Sequence, residues 1–533
     1  MRFLFLSSFT LLAASQTITT DAGIIQGADS MFLGIPYAAP PIGDLRWKPP
    51  QPAKKWQGVR SATAFAAACP QAEDPSQKDY HRELRETFLS SADFHIDEDC
   101  LYLNVFAANL TGAQKLPVMF WIHGGGNVSG ASQENPIGPA LARKGVVVVS
   151  INYRLGALGF LAHPALTAES LHHSSGNYAI LDQIAALQWV QRNIAQFGGD
   201  PANVTLFGES AGAVNVCYLM ASPLARGLFR RAILQSNTCS DYISPDLKRP
   251  HPYLGGAGSS EDIGLRLMRD LHIPEGPSAL AEMRAKSPQE ILAVSEKDRA
   301  VNFDAGGTID GWVFTEQPAI QFPAGRQTHV PVIVGSNADE AAVNVEEDLH
   351  AEPTLANYKA YLKTEFGDDA TKFFKLYPAK SDADVRRAFI AFDTDYGYGF
   401  AAHRFAANIA HAGEKAFFYS FAVPGRNKYA GLGAFHGIEL KFLTGWFRPS
   451  RWGTPNAEDQ KLSDVMTSYW TQFAKTGDPN GPGLPPWPPY DPKSDLTFEI
   501  SHQPRLRPTP HAAQFHIFER SLSARLHKAV PNP

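Results

Sequence analysis

Short apolar runs that alternate with segments of helical spacing place the strongest constraint on this chain. The runs are rich in β-branched and aromatic residues and lie at 118–122, 146–151, 204–207, 232–234, 330–334 and 417–421. An apolar run bounded by turn residues is typical of a strand buried within a sheet. Between such runs, Ile180, Ile184, Leu187 and Ile194 keep one apolar face at helical spacing. This alternation predicts an α/β fold, with a large, mostly parallel central sheet and helices on both faces.

Composition sets the broad class of protein. The chain has 533 residues, and Lys+Arg 48 against Asp+Glu 53 leaves a net charge of −5. A nucleic-acid surface usually needs a basic excess, so we expect no nucleic-acid partner. Hydrophobic residues make up 44% of the chain, which is enough for a large packed core. Because no linker or internal repeat interrupts it, residues 16–533 are predicted to form a single domain.

The first residues have the pattern of a secretory signal peptide. Met1-Arg2 is positively charged, residues 3–14 are mostly apolar, and Ala13-Ala14-Ser15 offers small residues for cleavage. The alternative is a buried N-terminal strand or helix. We predict a signal peptide over residues 1–15 and a secreted protein. The apolar run is too short to cross a bilayer, and no other run approaches ~18 apolar residues, so we expect no stable membrane insertion.

The four cysteines fit an oxidising compartment, because their number is even. We expect a bridge between Cys69 and Cys100, which would close a charged stretch of chain. Cys217 and Cys239 are left with two possibilities, a second bridge or two buried thiols. None of the four has the spacing of a metal-binding pair, and we expect neither a metal nor another cofactor.

Three sequons for N-linked glycosylation begin at Asn109, Asn127 and Asn203. Asn203 opens an apolar run, and Asn127 adjoins a glycine run that has the features of a catalytic loop. Asn109 is therefore the predicted glycosylation site.

The sharpest chemical signal is the segment Gly208-Glu209-Ser210-Ala211-Gly212, which directly follows an apolar run. A serine between glycines at a turn from strand to helix is typical of a nucleophile elbow. A second glycine-rich segment, His123-Gly124-Gly125-Gly126, also leaves an apolar run. Successive glycines let backbone N–H groups approach a substrate oxyanion closely. Either segment alone is also found as an ordinary turn, but the two together favour a catalytic serine with donors for an oxyanion.

With these motifs the chain resembles the type-B carboxylesterase/lipase family of α/β-hydrolases, which includes secreted fungal esterases and lipases and the cholinesterases. The resemblance covers nearly the whole chain after residue 15. Further matching segments lie at 32–38, 98–104, 152–156, 176–178, 197–201, 232–236 and 476–480.

The resemblance implies the remaining site residues. By the family pattern Ser210 is the nucleophile, His436 in the segment 434–439 is the base, and Glu340 in the segment 334–340 is the acid that orients it. Asp339 is the adjacent alternative for the acid. The chain order of serine, acid and histidine is that of this fold.

The same pattern assigns supporting groups. The oxyanion donors are the backbone N–H groups of Gly125, Gly126 and Ala211. Glu209 precedes the nucleophile and places negative charge near the histidine. Ser236 matches a family serine that lies near the acid.

Departures from the family pattern limit the classes of ester that we expect as substrates. No tryptophan occurs between Cys69 and Cys100, where cholinesterases place one against a quaternary ammonium group. That stretch is highly charged, although Tyr80, Leu84 and Phe88 form a short apolar stripe that a lid would need. Asn127 follows the glycine run, where relatives commonly have an apolar residue, and would give the acyl side a polar wall.

These observations predict a monomer-capable hydrolase of small or medium soluble carboxylic esters, acting through an acyl-enzyme. Oligomeric state is left open. The alternatives are a lipase with a disulfide-closed lid, an acyltransferase, and a non-catalytic adhesion protein. Relatives of the last kind generally lack the nucleophile, whereas this chain keeps Ser210, Glu340 and His436.

Overall fold

A computed structural model describes residues 15–71, 95–107, 115–133, 137–241, 243–250, 258–295, 297, 306–445 and 454–529. The predicted signal peptide, apart from Ser15, lies outside the described residues, and so does the sequon at Asn109. The apolar stripe from Tyr80 to Phe88 is outside them as well. These three predictions stay predictions.

The described strands form one mixed sheet. They are β1 (Ser15–Thr19), β2 (Ile24–Ala28), β3 (Met31–Pro36), β4 (Val59–Ser61), β5 (Tyr102–Ala107), β6 (Leu116–Ile122), β7 (Val147–Ile151), β8 (Gly199–Glu209), β9 (Arg231–Gln235), β10 (Val332–Asn337), β11 (Ala416–Phe421), β12 (Leu496–Ile500) and β13 (Arg505–Pro508). Their order across the sheet is β1-β2-β3-β5-β7-β6-β8-β9-β10-β11-β12-β13, with β4 paired to β2.

The centre of the sheet is parallel and its two edges are antiparallel. Strands β7, β6, β8, β9, β10, β11 and β12 run parallel to their neighbours in that order. Antiparallel pairs join β1, β2, β3, β5 and β7 at one side, and β12 and β13 at the other. The predicted α/β fold with a mostly parallel central sheet is confirmed.

Helices connect the strands and cover both faces. They are α1 (Ile137–Ala142), α2 (Gly156–Phe160), α3 (Pro164–Glu169), α4 (Tyr178–Asn193), α5 (Ala211–Ala221), α6 (Ser260–Asp270), α7 (Ala279–Ala285), α8 (Pro288–Ser295), α9 (Pro318–Gln321), α10 (Val345–Leu349), α11 (Leu355–Phe366), α12 (Ala370–Leu376), α13 (Asp382–Asp393), α14 (Phe400–His411), α15 (Leu440–Thr444), α16 (Ala457–Thr476) and α17 (Ala512–Ala529).

Alternation along the central strands explains the two layers of core. In β6, Val118 and Phe120 pack in one buried cluster with residues of α4 and α5, whereas Met119 and Trp121 pack in another with residues of α16. Successive side chains of a strand point to opposite faces, so a strand buried on both faces must be apolar throughout. All four of these side chains are fully buried.

Two disulfide bridges are present. Cys69 is joined to Cys100, as expected, with a sequence separation of 31, and Cys217 is joined to Cys239 with a separation of 22. The second bridge resolves the two possibilities that the sequence left for these cysteines. It ties α5 to the segment that follows β9, and both of its cysteines are fully buried.

We expect a non-reducing digest of the native protein to yield two linked peptide pairs, Cys69 with Cys100 and Cys217 with Cys239. By removing conformational entropy from the unfolded chain, loops of these lengths stabilise the folded protein by about 3 to 4 kcal/mol each. Peptide mass mapping before and after reduction measures the pairing. Free thiols at these four positions, or crossed pairs, would contradict the pairing, and a digest reduced before alkylation serves as the control.

Within the described residues, no helix combines the length and the apolar character needed to cross a membrane.

Candidate active site

The site lies at the carboxyl ends of the parallel strands in the centre of the sheet. Ile122 at the end of β6 pairs with Gly208 of β8, and Glu209 at the end of β8 pairs with Gln235 at the end of β9. Gln235 in turn pairs with Gly335 of β10. Because the carboxyl ends of parallel strands all lie at the same end of the sheet, the segments that follow these strands converge there.

Ser210 occupies the turn between β8 and α5 in a strained conformation. Its φ is 55° and its ψ is −126°, and its backbone N–H donates to the Gln235 carbonyl at 2.9 Å. A Cβ atom on Gly208 would lie 2.5 Å from the backbone of Gly212, and one on Gly212 would lie 2.1 Å from the Ile122 oxygen. Glycine is therefore required on both sides of the turn, which explains the pattern seen in the sequence.

His436 is hydrogen-bonded to Glu340. The distance from His436 Nδ1 to Glu340 Oε2 is 2.7 Å, and the glutamate side chain is fully buried. The other oxygen of Glu340 accepts a hydrogen bond from the Asn337 N–H at 2.7 Å. The carboxylate of Asp339 instead accepts from the Ala434 N–H at 2.8 Å. Of the two adjacent acids, Glu340 is the one in contact with the histidine.

The other nitrogen of His436 lies at the elbow. His436 Nε2 is 3.3 Å from Oε1 of Glu209, the residue before Ser210. Burial by itself would lower the pKa of His436, but the carboxylates of Glu209 and Glu340 outweigh burial and raise the pKa to about 10. The environment of this imidazole therefore stabilises its charged form.

The glycine loop that follows β6, residues 124–126, lies against the turn that holds Ser210. A Cβ atom on Gly124 would lie 2.8 Å from the Glu209 oxygen and 3.1 Å from Cβ of Ser210. Gly125 and Gly126 have φ values of 97° and 63°, in the left-handed region that favours glycine. These two residues and Ala211 at the start of α5 thus lie on segments that meet beside Ser210.

His123, the residue before the glycine loop, packs against Tyr153. Its ring stacks on Tyr153, with 4.4 Å between the ring centroids, and the Tyr153 hydroxyl donates to the His123 carbonyl at 2.8 Å. Burial lowers the pKa of His123 to about 4, so the ring is neutral at physiological pH.

A buried polar network beneath His436 was not predicted from the sequence. Glu439 is fully buried and accepts hydrogen bonds from Asn337 Nδ2 at 2.7 Å and Gln235 Nε2 at 3.0 Å. The Gln235 oxygen accepts from the indole N–H of Trp470 at 3.0 Å. Burial, together with Glu340, raises the pKa of Glu439 above its ordinary range. It lies three residues after His436, in the turn before α15, and its place at the end of the matched segment 434–439 is the signal that could have drawn attention to it.

Ser236 lies beside the site but is not bonded to the acid in the described structure. It is fully buried, its φ is 57°, and its N–H donates to the Gly335 carbonyl at 2.8 Å. Its hydroxyl has no hydrogen-bond partner among the described residues.

The Tyr398 ring, which was not predicted from the sequence, lies beside the His436 ring, with 5.2 Å between the two ring centroids. In the described part of the chain, no three His, Cys, Asp or Glu side chains are grouped so that they could hold a metal ion.

The sheet with helices on both faces, and a strained serine elbow where a central strand ends, define the α/β-hydrolase class. The model of the carboxylesterase family matches residues 14–518. The chain therefore belongs to the carboxylesterase family, and its enzyme class is carboxylic-ester hydrolase.

Similar proteins span most of the chain. It is 39% identical over 497 residues to a fumonisin B1 esterase of Sphingopyxis macrogoltabida, which covers 90% of this chain and 85% of the relative. It is 33% identical to a medium-chain fatty acyl-CoA hydrolase precursor of Anas platyrhynchos, over 87% of this chain and 83% of the relative. It is 32% identical to a human cocaine esterase, over 94% of this chain and 89% of the relative.

Proposed function

We propose that the protein hydrolyses carboxylic esters through an acyl-enzyme on Ser210, with His436 as general base and Glu340 as the acid that orients it. The observation that carries this proposal is the 2.7 Å contact between His436 Nδ1 and Glu340 Oε2, on a histidine whose Nε2 lies at the serine elbow. A serine hydroxyl is a weak nucleophile until a neighbouring base accepts its proton.

In the first half of the reaction, Ser210 Oγ attacks the ester carbonyl carbon while its proton passes to His436 Nε2. The carbonyl electron pair moves to the oxygen, and the N–H groups of Gly125, Gly126 and Ala211 stabilise that oxyanion. His436 then gives the proton to the alcohol oxygen as the C–O bond breaks. The imidazolium that forms between these steps is stabilised by Glu340 and Glu209.

In the second half, water replaces the alcohol. His436 takes a proton from water, the hydroxide oxygen attacks the acyl carbon, and the carboxylic acid leaves as Ser210 recovers its proton. An alcohol acceptor at this step would make the enzyme an acyltransferase. Adding a competing alcohol and measuring the ester product against the free acid distinguishes the two reactions.

Replacing Glu209 by glutamine should move the rising limb of the pH profile of kcat/KM to lower pH. His436 accepts a proton only when it is neutral, and a carboxylate 3.3 Å away favours the imidazolium. Removing that charge lowers the pKa of His436, so the neutral base is present at lower pH; we expect a shift of about one pH unit or more. The measurement is kcat/KM across the pH range in which the protein stays folded.

The matched control for this profile is Glu499→Gln. Glu499 is a buried carboxylate on β12, two strands from β10, where it is paired with Arg505 and Arg507 rather than with His436. This variant should leave the rising limb in place. A limb that stays in place or moves to higher pH in Glu209→Gln would show that Glu209 does not act on the base.

We propose small or medium soluble esters as substrates. The charged stretch between Cys69 and Cys100 contains no tryptophan for an ammonium group, and its charge disfavours contact with a lipid surface. We expect kcat/KM to fall from short-chain aryl esters to a choline ester and to a long-chain triglyceride emulsion. An abrupt rise in rate when the emulsion forms would instead favour a lipase with a lid, and preference for the choline ester would contradict the role given to the missing tryptophan.

We further propose that the protein is secreted and carries a glycan at Asn109. Two disulfide bridges support passage through an oxidising compartment. Of the other sequons, Asn127 is fully buried and the side-chain oxygen of Asn203 accepts a hydrogen bond from Arg231. Burial leaves the Asn127 side chain no room for a glycan.

A further inference from the structure

A pair of buried asparagines joins the glycine loop to the helix that follows the nucleophile. Asn127 comes directly after Gly126, and Asn215 lies on α5, one helical turn after Ala211. Asn215 Nδ2 donates to Asn127 Oδ1 at 2.7 Å, and both side chains are fully buried. The bond therefore connects the two segments that hold the proposed oxyanion donors.

Asn127 is held by its backbone as well as by its side chain. Its φ is 61°, a left-handed conformation that asparagine tolerates better than most residues. Its carbonyl accepts a hydrogen bond from the Gly156 N–H at 2.7 Å. The other hydrogen bonds of residues 124–130 in the described structure stay within the loop or go to Gln71 and His123.

Two buried amides stabilise a core less than two apolar side chains of similar size would. Among the described residues, neither Asn127 Nδ2 nor Asn215 Oδ1 has a hydrogen-bond partner, although both atoms are buried. Unsatisfied buried polar atoms destabilise a fold, and two apolar side chains of similar size would avoid that cost. A hydrogen bond, unlike an apolar contact, fixes both a distance and an orientation.

We propose that Asn127 and Asn215 are positioning residues that set the separation between the two halves of the oxyanion hole, the N–H groups of Gly125 and Gly126 on one side and that of Ala211 on the other. This inference rests on the proposed function of those groups. The pair does not touch the reacting atoms; it acts through the two segments that it joins.

The experiment compares Asn215→Ala, Asn127→Gly and the double variant. Alanine keeps α5 helical, and glycine keeps the left-handed backbone at position 127. We expect each single variant to lower kcat for a short aryl ester by about 10- to 100-fold, less than the loss of a whole oxyanion donor, with KM within about threefold. The double variant should lose little more than the worse single variant, because the pair acts as one unit.

A readout specific to the oxyanion is the inhibition constant of an aryl trifluoromethyl ketone. Addition of the serine oxygen to this ketone turns its carbonyl oxygen into an oxyanion, so its affinity reports how well the donors are placed. The inhibition constant should rise by the same factor as kcat/KM falls. The control is Asn193→Ala, which removes a buried amide bonded to Asp21 at the distant end of α4 and should lower Tm with kcat within about twofold of normal.

Three results would overturn the inference while leaving the proposed function intact. They are a folded Asn215→Ala with kcat within about twofold of normal, losses that multiply in the double variant, and a fall in kcat without weaker ketone inhibition. Ser210→Ala is measured alongside. If that variant kept its activity, the proposed function itself would fail, so the two failures are distinguishable.

Discussion

Replacing Ser210 by alanine should lower kcat for a short aryl ester by on the order of 10⁴- to 10⁶-fold. The reason is that alanine lacks the hydroxyl that the proposed mechanism places at this turn, where φ is 55° and ψ is −126°. His436→Ala should be similarly damaging, and the double variant should be little worse than either single one, because a nucleophile and its base act as a unit. The measurement is kcat on protein whose Tm is unchanged.

The matched control is Ser222→Ala, at the other end of the same helix α5. Ser222 is fully buried, and its hydroxyl accepts from the Leu224 N–H at 3.3 Å. This variant should keep kcat within about twofold of normal, since the residue lies a full helix length from the elbow. Near-normal turnover by a folded Ser210→Ala, or losses that multiply with His436→Ala, would refute the assignment.

Glu340→Gln should lower kcat by about 10⁴-fold with little change in KM. The glutamine oxygen can still accept from the Asn337 N–H, which leaves its NH₂ group facing His436 Nδ1. An NH₂ group donates, so Nδ1 would have to accept and the proton would sit on Nε2. A histidine in that tautomer cannot take the proton of Ser210.

Asp339→Asn is the control for this second variant, because it makes the same chemical change at the neighbouring residue. The new amide side chain would keep an oxygen to accept from the Ala434 N–H, the bond that the aspartate makes now. We expect kcat to stay within about tenfold of normal. If Asp339→Asn proved the more damaging of the two, the acid would be the residue that the sequence offered as the alternative.

The parallel centre of the fold could be predicted from sequence, whereas its edges could not. The apolar runs predicted at 118–122 and 204–207 became parts of β6 and β8, because burial on both faces leaves a continuous apolar signal. The edge strand β13 is exposed along its length and includes Arg505 and Arg507. A strand of that composition cannot be distinguished from a loop without its partner β12.

The site shows the same division between local and long-range information. Ser210 is marked by its own neighbours, because the glycines around it are a local steric requirement. Two adjacent carboxylates, Asp339 and Glu340, look equivalent along the chain, and only the path of the backbone brings one of them to His436. Glu439 escaped prediction because its partners come from β9 and β10, strands distant from it in sequence.

Because the site lies at the carboxyl ends of the strands, different parts of the chain position the proposed reacting groups and contact the substrate. The strands fix where the proposed reacting groups Ser210, His436 and Glu340 lie, whereas the segments between the strands enclose whatever is bound. Insertions and substitutions in those segments can therefore alter substrate choice while the reacting groups keep their places. A protein of this design can exchange one substrate for another in small steps, each of which leaves it a working catalyst.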